Sequence, residues 1–199
     1  MRVNQDIAIA CNFQAFLRGN GKRVPGSFRE GHNVFTTNGR NWLSRLIAWQ
    51  VVGPNDTPFT NRRVRWVGLG IGTQLEAPNV SSLATPVPIF TNSFLAPVQA
   101  VEFPTSTSVR FIREFSYNDI TFSNVPVILT EAAMFADVNP ATANSFRDGA
   151  DDVPQDPGIV NTTLNPALGD NPPIAYKSFE GLTKTVDFIL EIRWDFRFE

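Results

Sequence analysis

The acidic residue Glu131 lies within a largely apolar stretch, residues 129–135, and is the first candidate for chemistry. A carboxylate in such surroundings needs a partner, because burying an unpaired charge is costly. We expect that partner to be one of Arg110, Arg113 and Arg193 on other strands. Acid–base catalysis would need a second carboxylate held nearby, and no spacing in the sequence suggests one. Glu131 is therefore interpreted as part of a structural ion pair.

Nucleophilic and metal-based catalysis have few residues to draw on. His32 is the single histidine and Cys11 the single cysteine, so four ligands of the His/Cys type cannot be assembled. A Ser–His–Asp or Cys–His centre would have to use His32, whose neighbours form no known catalytic signature. Cys11 lies on the apolar face of a predicted strand and is interpreted as a small core residue. The sequence thus predicts a non-enzymatic protein without metal or cofactor.

Two further patterns suggest ligands but are better explained by structure. The glycines of residues 68–72 alternate with Leu69 and Ile71. A dinucleotide site would need a strand, a glycine-rich turn and then a helix, and residues 74–78 are too short for that helix. Glycines within a strand more often mark the close approach of another segment. The aspartates of residues 148–156 do not match the spacing of a calcium loop and are interpreted as solvated.

Composition narrows the range of partners. The net charge is −2 without a basic stripe, so nucleic acid is not an expected partner. No apolar run approaches the roughly 20 residues of a membrane span, and the polar N-terminus lacks a signal-peptide core, so we expect synthesis in the cytoplasm. Charged residues make up 18 % of the chain, below the average of about 25 %. This low charge favours a surface that packs against neighbouring molecules.

The elements that must position these residues are mainly strands. Residues 186–198 alternate between large apolar and charged side chains, and residues 7–14 show the same period of two. Further strands are predicted at residues 63–72, 109–115, 120–122 and 127–135, with a turn at residues 19–22. Asn38 can cap a helix over residues 38–51. We therefore expect one domain over residues 1–199, a mainly β, jelly-roll-like antiparallel β-sandwich with one α-helix near residues 38–51.

A long Pro/Asp-rich loop, residues 137–175, is predicted as an insert in this domain. It contains six prolines and six aspartates and has no periodic apolar pattern. Structureless loops of this length are uncommon in a compact domain unless they are functional. One interpretation is an interaction arm that becomes ordered on a neighbouring subunit through the apolar residues Ile159, Val160, Leu164, Leu168 and Ile174. The alternative is a disordered surface loop.

Four segments together resemble a known group of proteins. Residues 32–39 and 43–47 are similar to an "N-x-V-T-N-x-G-…-L" opening, and residues 67–73 to an "I-G-x-G-T" strand. Residues 129–135 resemble "I-T-E-A-G-L-F", with Ala133 where the pattern has glycine, and residues 184–198 resemble a closing "K-T-…-L-x-I-x-W" strand. The group comprises small virion structural proteins of tailed bacteriophages, related to the N-terminal domain of phage tail-collar fibre proteins.

This resemblance implies a structural role in a tailed-phage virion. The chain would assemble by protein–protein contacts on the tail apparatus (baseplate, collar or fibre anchor), with other virion proteins as partners and as a homo-oligomer, either a trimer or a ring. A capsid decoration (cement) protein is one alternative. A carbohydrate-binding module for host recognition, using exposed Trp49, Trp66 or Tyr176, is another, and burial of these aromatic residues would count against it.

Overall fold

The computed structural model describes residues 9–40, 43, 64–89, 94–116, 119, 126–136 and 173–198. Within them, strands predominate and all pair antiparallel, which confirms the predicted fold class. The strand predicted at residues 120–122, most of the helix at residues 38–51 and residues 137–172 of the insert lie outside the described residues. No helix among the described residues is long and apolar enough to cross a bilayer.

Among the residues that the structure describes, eleven strands form two sheets. They are β1 (Ile9–Gly19), β2 (Lys22–Arg23), β3 (Arg29–His32), β4 (Val34–Phe35), β5 (Val64–Gly70), β6 (Leu95–Pro97), β7 (Ala100–Thr105), β8 (Ser108–Phe115), β9 (Val127–Ala136), β10 (Ala175–Lys184) and β11 (Ile189–Phe198). The first sheet has six strands in the order β2-β1-β11-β8-β7, with β3 also paired to β1. The second has five, in the order β4-β10-β9-β5-β6.

The main core contains residues of both sheets. In the first sheet, β1 and β11 pair along ten residues, and their alternating apolar side chains face this core. Trp194 packs against Phe13 with ring centroids 4.9 Å apart. The alternation predicted for the last strand is confirmed, although the strand begins only at Ile189. Val186, which precedes the strand, is exposed. On the opposite face, Glu191 is only 2 % exposed, so that face is not simply solvated.

Strand β5 is buried on both of its faces. Val67 and Leu69 face the main core, whereas Trp66 belongs to a second apolar cluster with Leu83, Leu95, Ala133, Phe135 and Tyr176. Leu83 comes from the segment that follows β5, residues 71–89, which we call the strap. The strap covers part of the outer face of the second sheet and forms a third layer there.

The turn after β1 follows the sequence prediction, whereas the helix cap differs from it. The turn between β1 and β2 is as predicted, because Asn20 and Gly21 both have positive φ, 51° and 74°. The helix begins at Thr37, and its cap is Thr36 rather than Asn38. The Thr36 hydroxyl accepts a hydrogen bond from the Gly39 amide at 3.0 Å, and the Thr36 carbonyl accepts one from the Arg40 amide.

The sequence did not predict β10, although this strand lies inside the second sheet, between β4 and β9. Its register with β9 shifts between Ser178 and Leu182. Residues between these two positions do not oppose partners one for one, so the burial pattern along β10 is irregular. A strand interrupted in this way lacks the period of two on which the prediction depends.

Trp194 should be central to stability. Replacing it with alanine removes a fully packed ring and leaves a cavity, and we expect a loss of about 3–5 kcal/mol in the free energy of unfolding. Urea unfolding of Trp194→Ala measures this loss. Val186→Ala, at a residue that is 54 % exposed, is the control and should remain within about 0.5 kcal/mol of the parent. Equal unfolding midpoints for the two variants would contradict the core assignment.

Candidate functional site

The site around Glu131 is a buried carboxylate with four hydrogen-bond donors. Glu131 lies on β9 between Gly70 of β5 and Ser178 of β10, and its exposure is 0 %. Its Oε1 accepts from the amides of Gly72 at 3.0 Å and Thr85 at 2.9 Å. Its Oε2 accepts from the Ala84 amide at 3.1 Å and from the Tyr176 hydroxyl at 2.9 Å. These bonds compensate for the loss of hydration of the charge.

The predicted ion pair is therefore wrong in its partners. All three arginines lie on the first sheet, whereas Glu131 lies on the second and is bound by the strap. Arg110 pairs with Asp195 at 2.6 Å, Arg113 with Asp119 at 3.0 Å, and Arg193 with Glu191 at 2.5 Å. The prediction that the carboxylate is buried and needs compensation is confirmed. Backbone amides supply most of that compensation, and amides carry no sequence signal.

The glycines of residues 68–72 are explained by the same carboxylate. A Cβ atom at Gly70 would overlap Glu131 Oε1 and the Thr85 carbonyl oxygen, and one at Gly72 would overlap Glu131 Oε1 and Ala84. Only glycine lets the backbone come this close. The interpretation of the glycines as marks of close approach is confirmed, with Glu131 and the strap as the approaching groups.

Tyr176 donates to Glu131 through its side chain, whereas the other three donors are backbone amides. Burial, and after it the negative charge and hydrogen bond of Glu131, raise the pKa of the Tyr176 hydroxyl well above its ordinary value. The hydroxyl therefore remains protonated and keeps donating to the carboxylate. The ring belongs to the second apolar cluster, so Tyr176 links the polar site to the packing beneath the strap.

A second glutamate, Glu76, fixes the strap to β10. Its Oε1 accepts from the Lys177 ammonium at 2.7 Å, the Ser178 hydroxyl at 3.1 Å and the Ser178 amide at 3.2 Å. Two residues after Glu76, the carbonyl of Pro78 in the strap accepts a hydrogen bond from the Thr37 amide at 2.7 Å. The strap is thus fixed to β9, to β10 and to the first turn of the helix.

The aromatic residues proposed to bind carbohydrate are not presented to a ligand. Trp66 and Tyr176 have exposures of 0 % in the second apolar cluster, so neither ring can stack on a sugar. Trp49 lies outside the described residues. The burial of Trp66 and Tyr176 counts against the carbohydrate-binding alternative in the form in which the sequence suggested it.

The outer face of the first sheet carries a ladder of paired charges. Arg18 bridges Glu114 at 2.5 Å and Glu191 at 2.9 Å, and Arg193 binds the other oxygen of Glu191. The Phe16 ring lies between the guanidinium groups of Arg23 at 4.5 Å and Arg193 at 5.3 Å, both measured to the ring centroid. These contacts bury Glu191 and Phe16 on the face of the sheet that points away from the main core.

His32 lies at the edge of this face. It is exposed on β3 and lines a shallow depression of about 370 Å³ with Glu30, Asp195 and neighbouring residues of β1. Among the side chains that the structure describes, no group of three or more His, Cys, Asp or Glu residues is placed to hold a metal ion.

Of the predicted interaction arm, only Ile174 can be located. Its exposure is 0 %, its amide donates to the Met134 carbonyl and its carbonyl accepts from Thr36. Ile174 is therefore a core residue that leads into β10, and its assignment to an arm is wrong. Ile159, Val160, Leu164 and Leu168 lie outside the described residues.

One corner of the first sheet exposes apolar side chains. Among the described residues, seven large hydrophobic side chains are exposed, and three of them lie on or beside the β7–β8 hairpin. These are Val101 at 48 %, Phe103 at 77 % and Phe198 at 39 %. We call this group the apolar corner. Exposed apolar groups that cluster in this way often mark contact sites.

No family model matches the chain, and neither a curated protein nor a solved structure does.

Glu131→Gln should weaken the attachment of the strap. An amide has one accepting oxygen where the carboxylate has two, so at least one strap amide loses its acceptor, at a cost of roughly 1–3 kcal/mol. Hydrogen exchange at Gly72, Ala84 and Thr85 and urea unfolding measure the effect. Glu180→Gln is the matched control, because the Glu180 side chain is 85 % exposed. If both variants unfold and exchange alike, Glu131 does not hold the strap.

The Cys11 thiol should be inert in the folded protein. Burial of the thiol away from water raises its pKa to about 12. At about pH 8 the reactive thiolate is therefore scarce, and the core also blocks access. We expect a thiol reagent to label Cys11 rapidly in denaturant and very slowly without it. Labelling of the native chain at the rate of a free thiol would contradict the burial of Cys11.

Proposed function

We propose that this chain is a structural subunit of a tailed-bacteriophage virion that assembles by protein–protein contacts on the tail apparatus. The observation that carries the proposal is the convergence of segments that resemble phage virion proteins. Residues 67–73 and 129–135, far apart in sequence, meet where Glu131 binds the Gly72 amide and Thr130 donates to the Gly72 carbonyl at 2.6 Å. The motifs thus describe one hydrogen-bonded site rather than scattered similarities.

The other two resembling segments adjoin the same structure. In the opening segment, Thr37 donates to Pro78 of the strap, and Gly39 lies so close to the Ile174 carbonyl that a Cβ atom there would overlap it. The closing segment, residues 184–198, contains β11, which pairs with both β1 and β8. A resemblance whose residues fix the strap, the helix start and the central strand supports a shared fold with that group.

The chemistry of the surface supports a role in contact. The charged side chains on the outer face of the first sheet are largely engaged with one another, as Arg18, Glu191 and Arg193 show. The apolar corner is exposed instead, with Phe103 the most exposed of its three residues. Such a surface suits association with other virion proteins and with copies of the chain, in a trimer or a ring as repeated subunits usually form.

The proposal predicts that the chain is present in many copies in the virion of the phage that encodes it. Because a structural subunit remains bound through purification, it should co-sediment with gradient-purified particles, in a fixed ratio to the other tail proteins. Quantitative mass spectrometry of the particles and of the lysate supernatant measures this ratio, and an abundant host cytoplasmic protein is the control for carry-over.

Absence of the chain from intact particles, together with abundance in the supernatant, would overturn the structural role. A density map of the particle then locates the chain. If the density of the chain lies on the capsid surface, the chain is a decoration protein and not part of the tail.

A further inference from the structure

We infer that the apolar corner is the surface through which copies of this chain bind one another, with Phe103 of one copy inserted into an apolar socket of the next. This inference deepens the homo-oligomer part of the proposed function. Phe103 is the protruding element of the pair, because it lies on β7, at the edge of the first sheet, with 77 % of its surface exposed.

The socket adjoins the apolar corner, because Phe198 belongs to both, and every described residue that lines it is apolar. Its volume is about 50 Å³ and it is partly open to solvent. A single water needs roughly 10–15 Å³ on the same measure, so the socket has room for several atoms of an entering group. Phe111 and Phe198 line it from the first sheet, and residues of the second sheet and the helix close it. A socket without polar groups favours an apolar group over water.

The corner and the socket form one continuous surface. Val101 of the corner is the register partner of Phe111, which lines the socket. Phe198 belongs to both, and its amide donates to the Thr107 carbonyl in the turn of the β7–β8 hairpin at 2.9 Å. Protrusion and recess therefore lie side by side on each copy. A neighbouring copy can contribute Phe103 and accept one in turn, and contacts of this kind form a ring where the rotation between successive copies closes.

The charges around the hairpin are already satisfied within the chain. Arg110 of β8 binds Asp195 at 2.6 Å and Glu102 of β7 at 3.7 Å. A strongly charged partner, such as a nucleic acid or an anionic surface, finds little unpaired charge here. The exposed group is the phenyl ring of Phe103, and the apolar socket of a second copy offers it an apolar binding site.

The edge of β7 argues for contact through side chains rather than through a continued sheet. The register between β7 and β8 shifts between Glu102 and Thr105, and Pro104 lies within this interval. A proline has no backbone donor, and a bulge turns the edge away from straight pairing. The same irregularity includes Phe103.

The test is the mass of the purified chain in solution, measured by light scattering and sedimentation equilibrium over a range of concentrations. The parent should form a closed oligomer, with a mass that is a multiple of 22.1 kDa. Phe103→Ser should raise its dissociation constant about thirtyfold, the typical effect of losing an aromatic anchor. Phe103→Leu retains an apolar group and should restore most of the association. Circular dichroism checks that each variant is folded.

Leu75→Ser is the matched control. Leu75 is also a large apolar residue on the surface, 86 % exposed, but it lies on the strap away from the corner. It should leave association unchanged. A parent that stays monomeric at its highest soluble concentration would overturn the inference, and so would equal association of Phe103→Ser and the parent. If the monomeric chain is nevertheless found in particles, the virion role stands, and another virion protein covers the corner.

Discussion

The structure depends on the compensation of one buried charge. Glu131 has no contact with water, and three backbone amides together with one hydroxyl replace the hydration it has lost. All three amides belong to the strap. The hydrogen bonds that compensate the charge are therefore the same bonds that hold residues 71–89 in place. With the strap bound, Leu83 covers Trp66 and the second apolar cluster is complete. A buried carboxylate with too few donors would destabilise the fold, and a strap without its acceptor would leave several amides unsatisfied. Polar and apolar burial therefore support each other at this site.

The same constraint explains why β5 is unusual. A strand buried on both faces is common in parallel sheets with helices on either side, whereas an antiparallel sheet often has one solvated face. Here the second sheet packs on the main core through one face and on the strap through the other. The strap fits so closely only because residues 70 and 72 are glycines. Glu76 adds a second anchor at Lys177 and Ser178, where β10 loses its register with β9.

Much of the fold could be predicted from periodicity, but the centre of the site could not. The alternation in β1 and β11 predicted which side chains face the main core, and Cys11, Phe13 and Trp194 are buried accordingly. Glu131 was identified because a charge among apolar residues needs a partner. Its actual partners are amides of residues that are distant in sequence, and every residue except proline has an amide, so composition cannot point to them. The buried Glu191 was missed for a related reason: arginines on neighbouring strands cover it, and strand pairing is not visible in a single sequence.

Three parts of the described surface differ in their charge and apolar exposure: the outer face of the second sheet, the outer face of the first sheet, and the edge at the β7–β8 hairpin. The outer face of the second sheet is covered in part by the strap. On the outer face of the first sheet, the ladder through Arg18, Glu191 and Arg193 uses its charges internally, and Phe16 is enclosed by two guanidinium groups. In these pairs two arginines cover the buried Glu191 carboxylate, and the pairing lowers the attraction of the face for outside ions. The edge at the β7–β8 hairpin differs from both, because its charges are paired while its apolar side chains are exposed. In a chain with so few charged residues, this corner is the part of the described surface where three large apolar side chains that the molecule itself leaves uncovered lie together.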